Sequence, residues 1–296
     1  AIHKCENNSG PYCAAPVNIH RIDWMWANKA VFDANGISVP TSWDELNAAA
    51  EKLKAAGIIP FAHGGQAWQD ATVFEAVAMG LGGNNYYKNC YVDLKETCLR
   101  SETTVKVFDQ MRKLQGFTDE GSPGRDWNVA TGMVIEGKAG FQIMGDWAKG
   151  EFTAAGKVPG VDYYCAATPS NNGYLYNVDS FIFYKSSDPD KQAGQKLLAK
   201  LMMGKNFQKV FNLYKGSIPA RLDVSMDEFD KCAKTSNADI KTAGAKGGLV
   251  PSFAHGMAQG NTMKAALQDI ITEHFNSDMS SVDAANALAD SVLANM

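Results

Sequence analysis

A long hydrophobic run is missing from this 296-residue sequence. No apolar stretch approaches the roughly 18 residues that a membrane-spanning helix needs, and the first residues carry no signal-peptide pattern. An initial methionine is also absent, as in a processed or fragmentary chain. With 45% hydrophobic residues, the sequence predicts a soluble globular protein that can bury one large core or two moderate ones.

The sequence also lacks a basic cluster. It contains 28 lysines and arginines against 32 aspartates and glutamates, and the basic residues are spread along the chain. Proteins that bind nucleic acid or an anionic membrane concentrate positive charge on one surface. We therefore expect neither of these as a partner.

None of the six cysteines has the CxxC spacing or the nearby paired histidines of a zinc site. Two local pairs share the same spacing, and the other two cysteines remain as a third pair by elimination. Zinc ligation is the alternative. Disulfides are favoured, which indicates an oxidising compartment. We expect the protein to bind neither a metal ion nor a cofactor. The predicted disulfides are Cys5–Cys13, Cys90–Cys98 and Cys165–Cys232.

Strand and helix patterns alternate along the chain, which predicts α/β layering. Strand patterns cover 14–26, 58–62 and 174–184. Helices are predicted after Ser42, from Ser101 to Gly116, and from Asp188 to Gly204 with Leu197, Leu198 and Leu201 inside. Another helix reaches Lys215, and two more occupy the C-terminal part.

The most informative run is 139–147, in which a buried-looking strand breaks at Gly145 and delivers Trp147 to the loop beyond. Polar residues stand at similar boundaries further along the chain. These are Asp179, Lys215 and His255. A sugar site needs an indole to cover the apolar face of the ring and charged groups for its hydroxyls. The set therefore predicts a sugar-sized site.

Each candidate also has a structural alternative. Trp147 could belong to the core, and Asp179, in an apolar strand, could be satisfied by an internal hydrogen-bond network. Lys215 could be a solvated residue at a helix end, and His255 could be a loop histidine with internal partners. Trp68, in a polar loop after a strand, is equally open to both interpretations. The remaining tryptophans are assigned to packing, namely Trp24, Trp26, Trp43 and Trp127.

Six motifs occur in an order that resembles a known family. They are PVNIHR at 16–21, AHGGQAWQ at 62–69, GDW at 145–147, NVDSF at 177–181, KGSIPAR at 215–221 and SFAHG at 252–256. Together they resemble the extracellular solute-binding proteins of bacterial ABC sugar importers, specifically the glucose/mannose-binding group. The resemblance extends from about Cys13 to the C-terminus.

The resemblance implies an α/β, two-lobe periplasmic binding protein fold of type II character that closes over one monosaccharide. By this pattern, Trp147 stacks on the sugar and Asp179 accepts its hydroxyl hydrogen bonds. Lys215 and His255 match further polar ligands, and the Trp68 loop approaches the cleft. Such a protein is not an enzyme. It is a periplasmic or otherwise extracytoplasmic protein that delivers its ligand to an ABC permease, and it is a monomer unless another chain supplies a half-lobe that this sequence lacks.

The chain departs from this pattern at its start. Family members carry a half-lobe of roughly 100 residues before the PVNIHR motif, a length typical of a βαβαβ unit. Here residues 1–20 and 174–221 would form an incomplete first lobe with the hinge crossings, and 21–173 and 222–296 would form the second. Omission or cleavage of an upstream segment is favoured over an abbreviated homologue, because Phe181 and Phe183 would otherwise expose an apolar strand edge.

The sequence leaves two other functions open. A carbohydrate hydrolase needs two carboxyl groups that flank one bond, and only Asp146 and Asp70 offer a second acid in a site-like motif. No Ser/His/Asp or Cys/His arrangement with a family signature is present. A truncated, non-binding scaffold is the third interpretation.

Overall fold

Strands and helices alternate through the described residues in a computed structural model, which covers residue 10, residues 12–170 and residues 173–296. The strands are β1 Ala14–Pro16, β2 His20–Arg21, β3 Trp24–Asn28, β4 Ile59–Phe61, β5 Ala139–Ile143, β6 Tyr163–Ala167, β7 Tyr174–Asn177, β8 Ser180–Ile182 and β9 Leu249–Pro251. The helices are α1 Lys29–Ala34, α2 Trp43–Ala55, α3 Ala67–Tyr87, α4 Glu96–Leu99, α5 Glu102–Gln115, α6 Trp127–Ile135, α7 Lys149–Ala154, α8 Pro189–Met202, α9 Lys205–Lys215, α10 Lys231–Ala245, α11 Asn261–Asn276 and α12 Ser281–Ala294. The mixed α/β architecture agrees with the prediction.

The strands form three sheets. The largest has the order β4-β5-β3-β6, in which β3 is antiparallel to both of its neighbours and β4 is parallel to β5. A second sheet has the order β2-β7-β9, and the third contains only β1 and β8. The chain therefore passes from one sheet to another between β1 and β2, and again between β7 and β8.

The predicted strand over 14–26 is three short strands, and its last part has no exposed face. Trp24, Met25 and Trp26 on β3 are all buried, because this central strand has protein on both sides. The main core extends from one side of this sheet through α2, α3, α5, α11 and α12. Trp24, Trp26 and Trp43 pack in the interior, as predicted.

Two helices begin where their capping residues predict. Ser42 Oγ accepts a hydrogen bond from the Glu45 backbone N–H at 3.1 Å, and α2 follows. Ser101 Oγ accepts one from Thr104 N–H at 3.4 Å, and α5 follows. Both helices bury the apolar stripe that their sequence periodicity indicates.

The strand pattern at 174–184 divides into β7 and β8, with Asp179 in the gap. β7 pairs with β2 and β9, whereas β8 pairs with β1. The expectation that Asp179 lies inside an apolar strand is therefore wrong. It lies where the chain leaves one sheet for another, which is the kind of position at which a side chain can face a cleft.

Helix α8 has the predicted bounds, but the leucines predicted to be buried are exposed. Leu197 is 70% exposed and Leu201 is 59% exposed, and Leu198 is also exposed, although all three were expected inside. Among the described residues, α8 contacts β1 and α9, and the sheet of β1 and β8 is too small to cover its apolar face. An apolar cavity of about 680 Å³ consequently opens between α8 and α9.

Two of the three predicted disulfides are present. Cys90 is bonded to Cys98 near the end of α3, and Cys165 on β6 is bonded to Cys232 in the first turn of α10. Cys5, the predicted partner of Cys13, lies outside the described residues.

Two features are absent from the described residues. None of their helices combines the length and apolar composition needed to cross a membrane. The same residues contain no group of three or more His, Cys, Asp or Glu side chains placed to hold a metal ion.

The long-range disulfide should stabilise the fold more than the local one. Replacing Cys165 and Cys232 together by alanine is expected to lower the free energy of unfolding by about 4 kcal/mol, because the bond spans 67 positions of the unfolded chain. The control is the double alanine variant of Cys90 and Cys98, which spans 8 positions and should cost about 2.5 kcal/mol. Urea unfolding of both variants measures the difference. An equal or larger loss in the control would contradict this expectation.

Candidate functional site

A cavity of about 560 Å³ opens beside the two segments that pass between sheets, from β1 to β2 and from β7 to β8. It is lined by the ends of several elements, so its residues come from distant parts of the chain. They are His20, Trp68, Trp127, Trp147, Gly150, Glu151, Asn177, Asp179, Tyr214, Lys215 and His255. All five residues predicted from the sequence, Trp68, Trp147, Asp179, Lys215 and His255, are in this set.

Trp147 lies in a 3₁₀ turn, Asp146–Ala148, just after β5. A Cβ atom at Gly145 would stand 2.2 Å from the indole Cζ3, so the absence of a side chain there makes room for the ring. The indole meets the rings of His20 and His255 at centroid distances of 5.2 and 5.0 Å, both nearly edge to face. These contacts fix the indole at the wall of the cavity.

Asp179 is held by side chains but remains 41% exposed. Its Oδ2 accepts hydrogen bonds from His20 Nε2 at 3.0 Å and Asn18 Nδ2 at 2.9 Å, and its Oδ1 accepts one from Asn177 Nδ2 at 3.1 Å. Burial acts to raise the pKa of Asp179. The hydrogen bonds and charge of His20, with Asn18 and Lys215, outweigh that effect and hold the pKa well below its usual range. The cavity therefore contains a carboxylate that stays ionised.

His20 lies between two carboxylates. Its Nδ1 contacts Asp146 Oδ1 and its Nε2 contacts Asp179 Oδ2, while the ring is almost completely buried. Burial acts to lower the pKa of His20, but the two carboxylates dominate and raise it to about 9. The raised pKa favours an imidazolium at neutral pH, in which Nδ1 donates to Asp146 and Nε2 donates to Asp179, while Asn18 Nδ2 also lies 2.9 Å from Nε2.

Lys215 is the last residue of α9, and the following turn brings it to the cavity. Gly216 has a φ of 94°, and a Cβ atom there would stand 2.5 Å from the Asp146 carbonyl oxygen. Glycine thus allows the end of α9 to approach the turn that carries Trp147. Tyr214 reaches the cavity from the same helix end.

His255 lies in a turn after β9 and does not open a helix, because α11 begins only at Asn261. Its Nε2 is 3.0 Å from Thr72 Oγ1 on α3. Burial, with the positive charge of His20, lowers the pKa of His255 to about 3. The ring is therefore neutral at physiological pH and forms one wall of the cavity.

Trp68 is in the first turn of α3 rather than in a loop. Its ring centroid is 5.9 Å from that of His255 and 6.3 Å from that of Trp147. Its Nε1 donates a hydrogen bond to Gln66 Oε1 at 2.9 Å. The three rings therefore form one connected aromatic surface.

Sequence analysis missed several residues of the cavity. Trp127, assigned to packing, is the first residue of α6 and lines the cavity. Its place at a helix start resembles that of Trp68, which was the available signal. Glu151 follows Trp147 by four positions in consecutive helical turns, a spacing that places both on one side. His20 lies within the PVNIHR motif, but no neighbouring residue indicated the carboxylates that it contacts.

Solved structures of similar shape were found at low sequence identity. The bacterial solute receptor AcbH, described as having an exclusive substrate preference for β-D-galactopyranose, has a TM-score of 0.80 and 18% identity. The match covers 96% of this chain and 72% of that one. A chitin oligosaccharide binding protein has a TM-score of 0.72 and 18% identity, with 95% and 71% covered. These similarities establish the fold alone.

Curated relatives are much closer in sequence. A probable sugar-binding periplasmic protein of Brucella suis is 48% identical over 284 residues, which are 96% of this chain and 67% of the relative. A protein of the same description from Rhizobium meliloti is 44% identical over 293 residues, with 99% and 70% covered. The chain thus spans about two thirds of the length of these relatives.

Residues 6–202 match the family described as bacterial extracellular solute-binding protein. This match includes β1 to α8, and with them Trp68, Trp147 and Asp179 of the cavity. The relatives extend the similarity over nearly the whole chain. This chain belongs to the bacterial extracellular solute-binding protein family.

Proposed function

We propose that this chain binds a neutral monosaccharide of the glucose/mannose type in the 560 Å³ cavity and presents it to an ABC importer. The observation that carries the proposal is that the Trp147 indole and the ionised Asp179 carboxylate line the same cavity. A pyranose presents an apolar C–H face and a rim of hydroxyls, which these two groups complement.

The other polar groups of the cavity fit the same ligand. Lys215 can donate to a hydroxyl oxygen, and neutral His255 can form a hydrogen bond without adding charge. Names of relatives support the class of ligand, since two of them are described as probable sugar-binding periplasmic proteins. By the same reasoning, we propose that the protein lies in the periplasm or another extracytoplasmic space, with a membrane permease as its partner. We also propose that it is a monomer, unless another chain supplies a missing half-lobe.

We also propose the division into lobes that the sequence suggested. Residues 1–20 and 174–221 belong to the first lobe, and 21–173 and 222–296 belong to the second. In support, Ala15, Val17 and Met202 form a small apolar cluster separate from the main core. The exposed leucines of α8 are the surface expected of a lobe whose sheet, in the described part of the chain, consists of β1 and β8 alone. Closure of the two lobes would enclose the sugar.

A hydrolase is less well supported by the same cavity. Glu151 provides a second carboxyl group in the cavity that Asp179 lines. A glycosidase needs one carboxyl group that stays protonated to donate to the leaving group, and Asp179 cannot be that group because its pKa is held low. A sugar that is bound and recovered unchanged would favour a binding protein, and one that is cleaved would favour the hydrolase.

The indole of Trp147 should carry much of the affinity. Titration calorimetry with glucose and mannose is expected to show binding that Trp147→Ala weakens roughly 10- to 100-fold, because the apolar face of the sugar loses its cover. Gly145→Ala should also weaken binding, since the new methyl group displaces the indole without removing it.

Trp43→Phe is the control for these variants, because it alters a buried indole that does not line the cavity. It should bind as the wild type does. Unchanged affinity in both Trp147→Ala and Gly145→Ala would contradict the assigned role of the indole. A wild-type protein that binds neither sugar would overturn the proposed function and favour a scaffold.

The charge of His20 should make stability depend on pH. The pKa of His20 is raised from 6.5 to about 9, so its contribution is fully present below pH 6.5 and is lost as pH rises through 9. We expect the difference in unfolding free energy between wild type and His20→Asn to decrease between these limits. Urea unfolding at intervals from pH 6 to pH 10 measures it.

His274→Asn is the matched control, because it also removes a buried histidine. Burial, with the charge of Arg112, lowers the pKa of His274 to about 4, so this residue is neutral in both folded and unfolded states over most of that range. Its difference from wild type should stay constant above about pH 7.5. A constant difference for His20→Asn as well would show that His20 is not an imidazolium.

A further inference from the structure

The hydroxyl group of Thr72 lies within hydrogen-bond distance of a backbone carbonyl oxygen and of a histidine nitrogen. Thr72 is fully buried on α3, and its Oγ1 is 2.8 Å from the Trp68 carbonyl oxygen and 3.0 Å from His255 Nε2. A carbonyl oxygen can only accept a hydrogen bond. The single hydroxyl proton of Thr72 is therefore directed to Trp68, and the oxygen accepts from His255.

This arrangement determines which nitrogen of His255 carries the proton. To donate to Thr72, Nε2 must be protonated, and in a neutral imidazole the other nitrogen then has a free lone pair. Within the described residues, His255 Nδ1 has no hydrogen-bond partner in the protein. The ring lines the cavity. Its unused nitrogen is thus an acceptor.

The backbone of the same turn is held by a second chain of hydrogen bonds from α3. His255 N–H donates to Ser252 Oγ at 3.1 Å, and Ser252 Oγ donates to Glu75 Oε1 at 2.6 Å. Glu75 Oε2 also accepts from Phe253 N–H at 3.1 Å. Because Thr72 and Glu75 are three residues apart, they occupy one face of the helix. That face fixes both the position of the turn and the orientation of its imidazole.

We propose that Thr72 is a positioning residue that holds His255 in the Nε2–H form, so that Nδ1 accepts a hydrogen bond from a sugar hydroxyl. This inference rests on the proposed function and specifies it further. The hydroxyl that faces His255 must donate, as must those that face the Asp179 carboxylate. Thr72 itself does not touch the ligand.

The first test is the protonation state of His255 without sugar. Ring ¹⁵N chemical shifts at pH 7 should show a protonated Nε2 and an unprotonated Nδ1, with the signals assigned by their loss in His255→Asn. Thr72→Val removes the hydroxyl but keeps the shape, and it should shift the signals towards a mixture of tautomers. A wild-type ring protonated on Nδ1 would overturn the proposal.

The second test is glucose affinity. Thr72→Val should weaken binding roughly 5- to 100-fold, because the buried Nε2–H loses its acceptor and the ring its fixed orientation. Thr72→Ser keeps the hydroxyl and should restore most of the affinity. Thr104→Val controls for the loss of a buried threonine hydroxyl, since Thr104 donates to the Cys98 carbonyl oxygen and does not line the cavity. Wild-type affinity in Thr72→Val would overturn the proposal.

Monodeoxy glucoses identify the hydroxyl concerned. At one position, removal of the hydroxyl should cost less affinity in Thr72→Val than in wild type, because the same hydrogen bond has already been weakened. Equal costs in both proteins at every position would contradict the role of Nδ1. If the wild type binds no sugar while His255 shows the Nε2–H form, the proposed function fails and the ligand role fails with it. Sugar binding with the Nδ1–H form would overturn only the inference.

Discussion

A histidine cation enclosed by two carboxylates holds the cavity together. His20 is buried between Asp146, which precedes the indole of Trp147, and Asp179, which follows β7. A buried charge is costly unless it is paired, so the two carboxylates have little freedom to move away from the ring. One imidazolium thereby sets the distance between the aromatic wall and the acidic wall of the site.

The next residue repeats this arrangement on the other side of the strand. Arg21 is buried, forms an ion pair with Asp23 and lies 4.8 Å from the ring centroid of Tyr174. Asp23 also accepts a hydrogen bond from the Leu175 backbone N–H at 3.0 Å. Consecutive side chains of a strand point to opposite faces. The two-residue strand β2 therefore anchors the segments that pass between the sheets through two buried basic side chains, His20 and Arg21.

Local sequence signals predicted much of the fold and part of the site. The capping serines located α2 and α5, and the break at Gly145 located Trp147, because each depends on neighbouring residues. The partners of His20 could not be found in this way, since Asp146 and Asp179 are 126 and 159 positions away. The exposure of the α8 leucines was also unpredictable, because periodicity identifies an apolar face but not what covers it.

The hydrogen-bonding roles in the cavity restrict the chemistry of its ligand. The Asp179 carboxylate can only accept hydrogen bonds. If Thr72 holds Nε2 of His255 protonated, Nδ1 of that ring can also only accept. Lys215 can only donate. An anionic ligand would place its own hydrogen-bond acceptors against the acceptors of Asp179 and His255. A cationic ligand would be repelled by Lys215 and by the buried charge of His20. Hydroxyl groups donate and accept, so a neutral polyol can pair with Asp179, His255 and Lys215 without bringing a charge of its own. Because Asp179 is already held in place by Asn18 and His20, and His255 by Thr72, these two side chains need little further ordering when such a ligand binds.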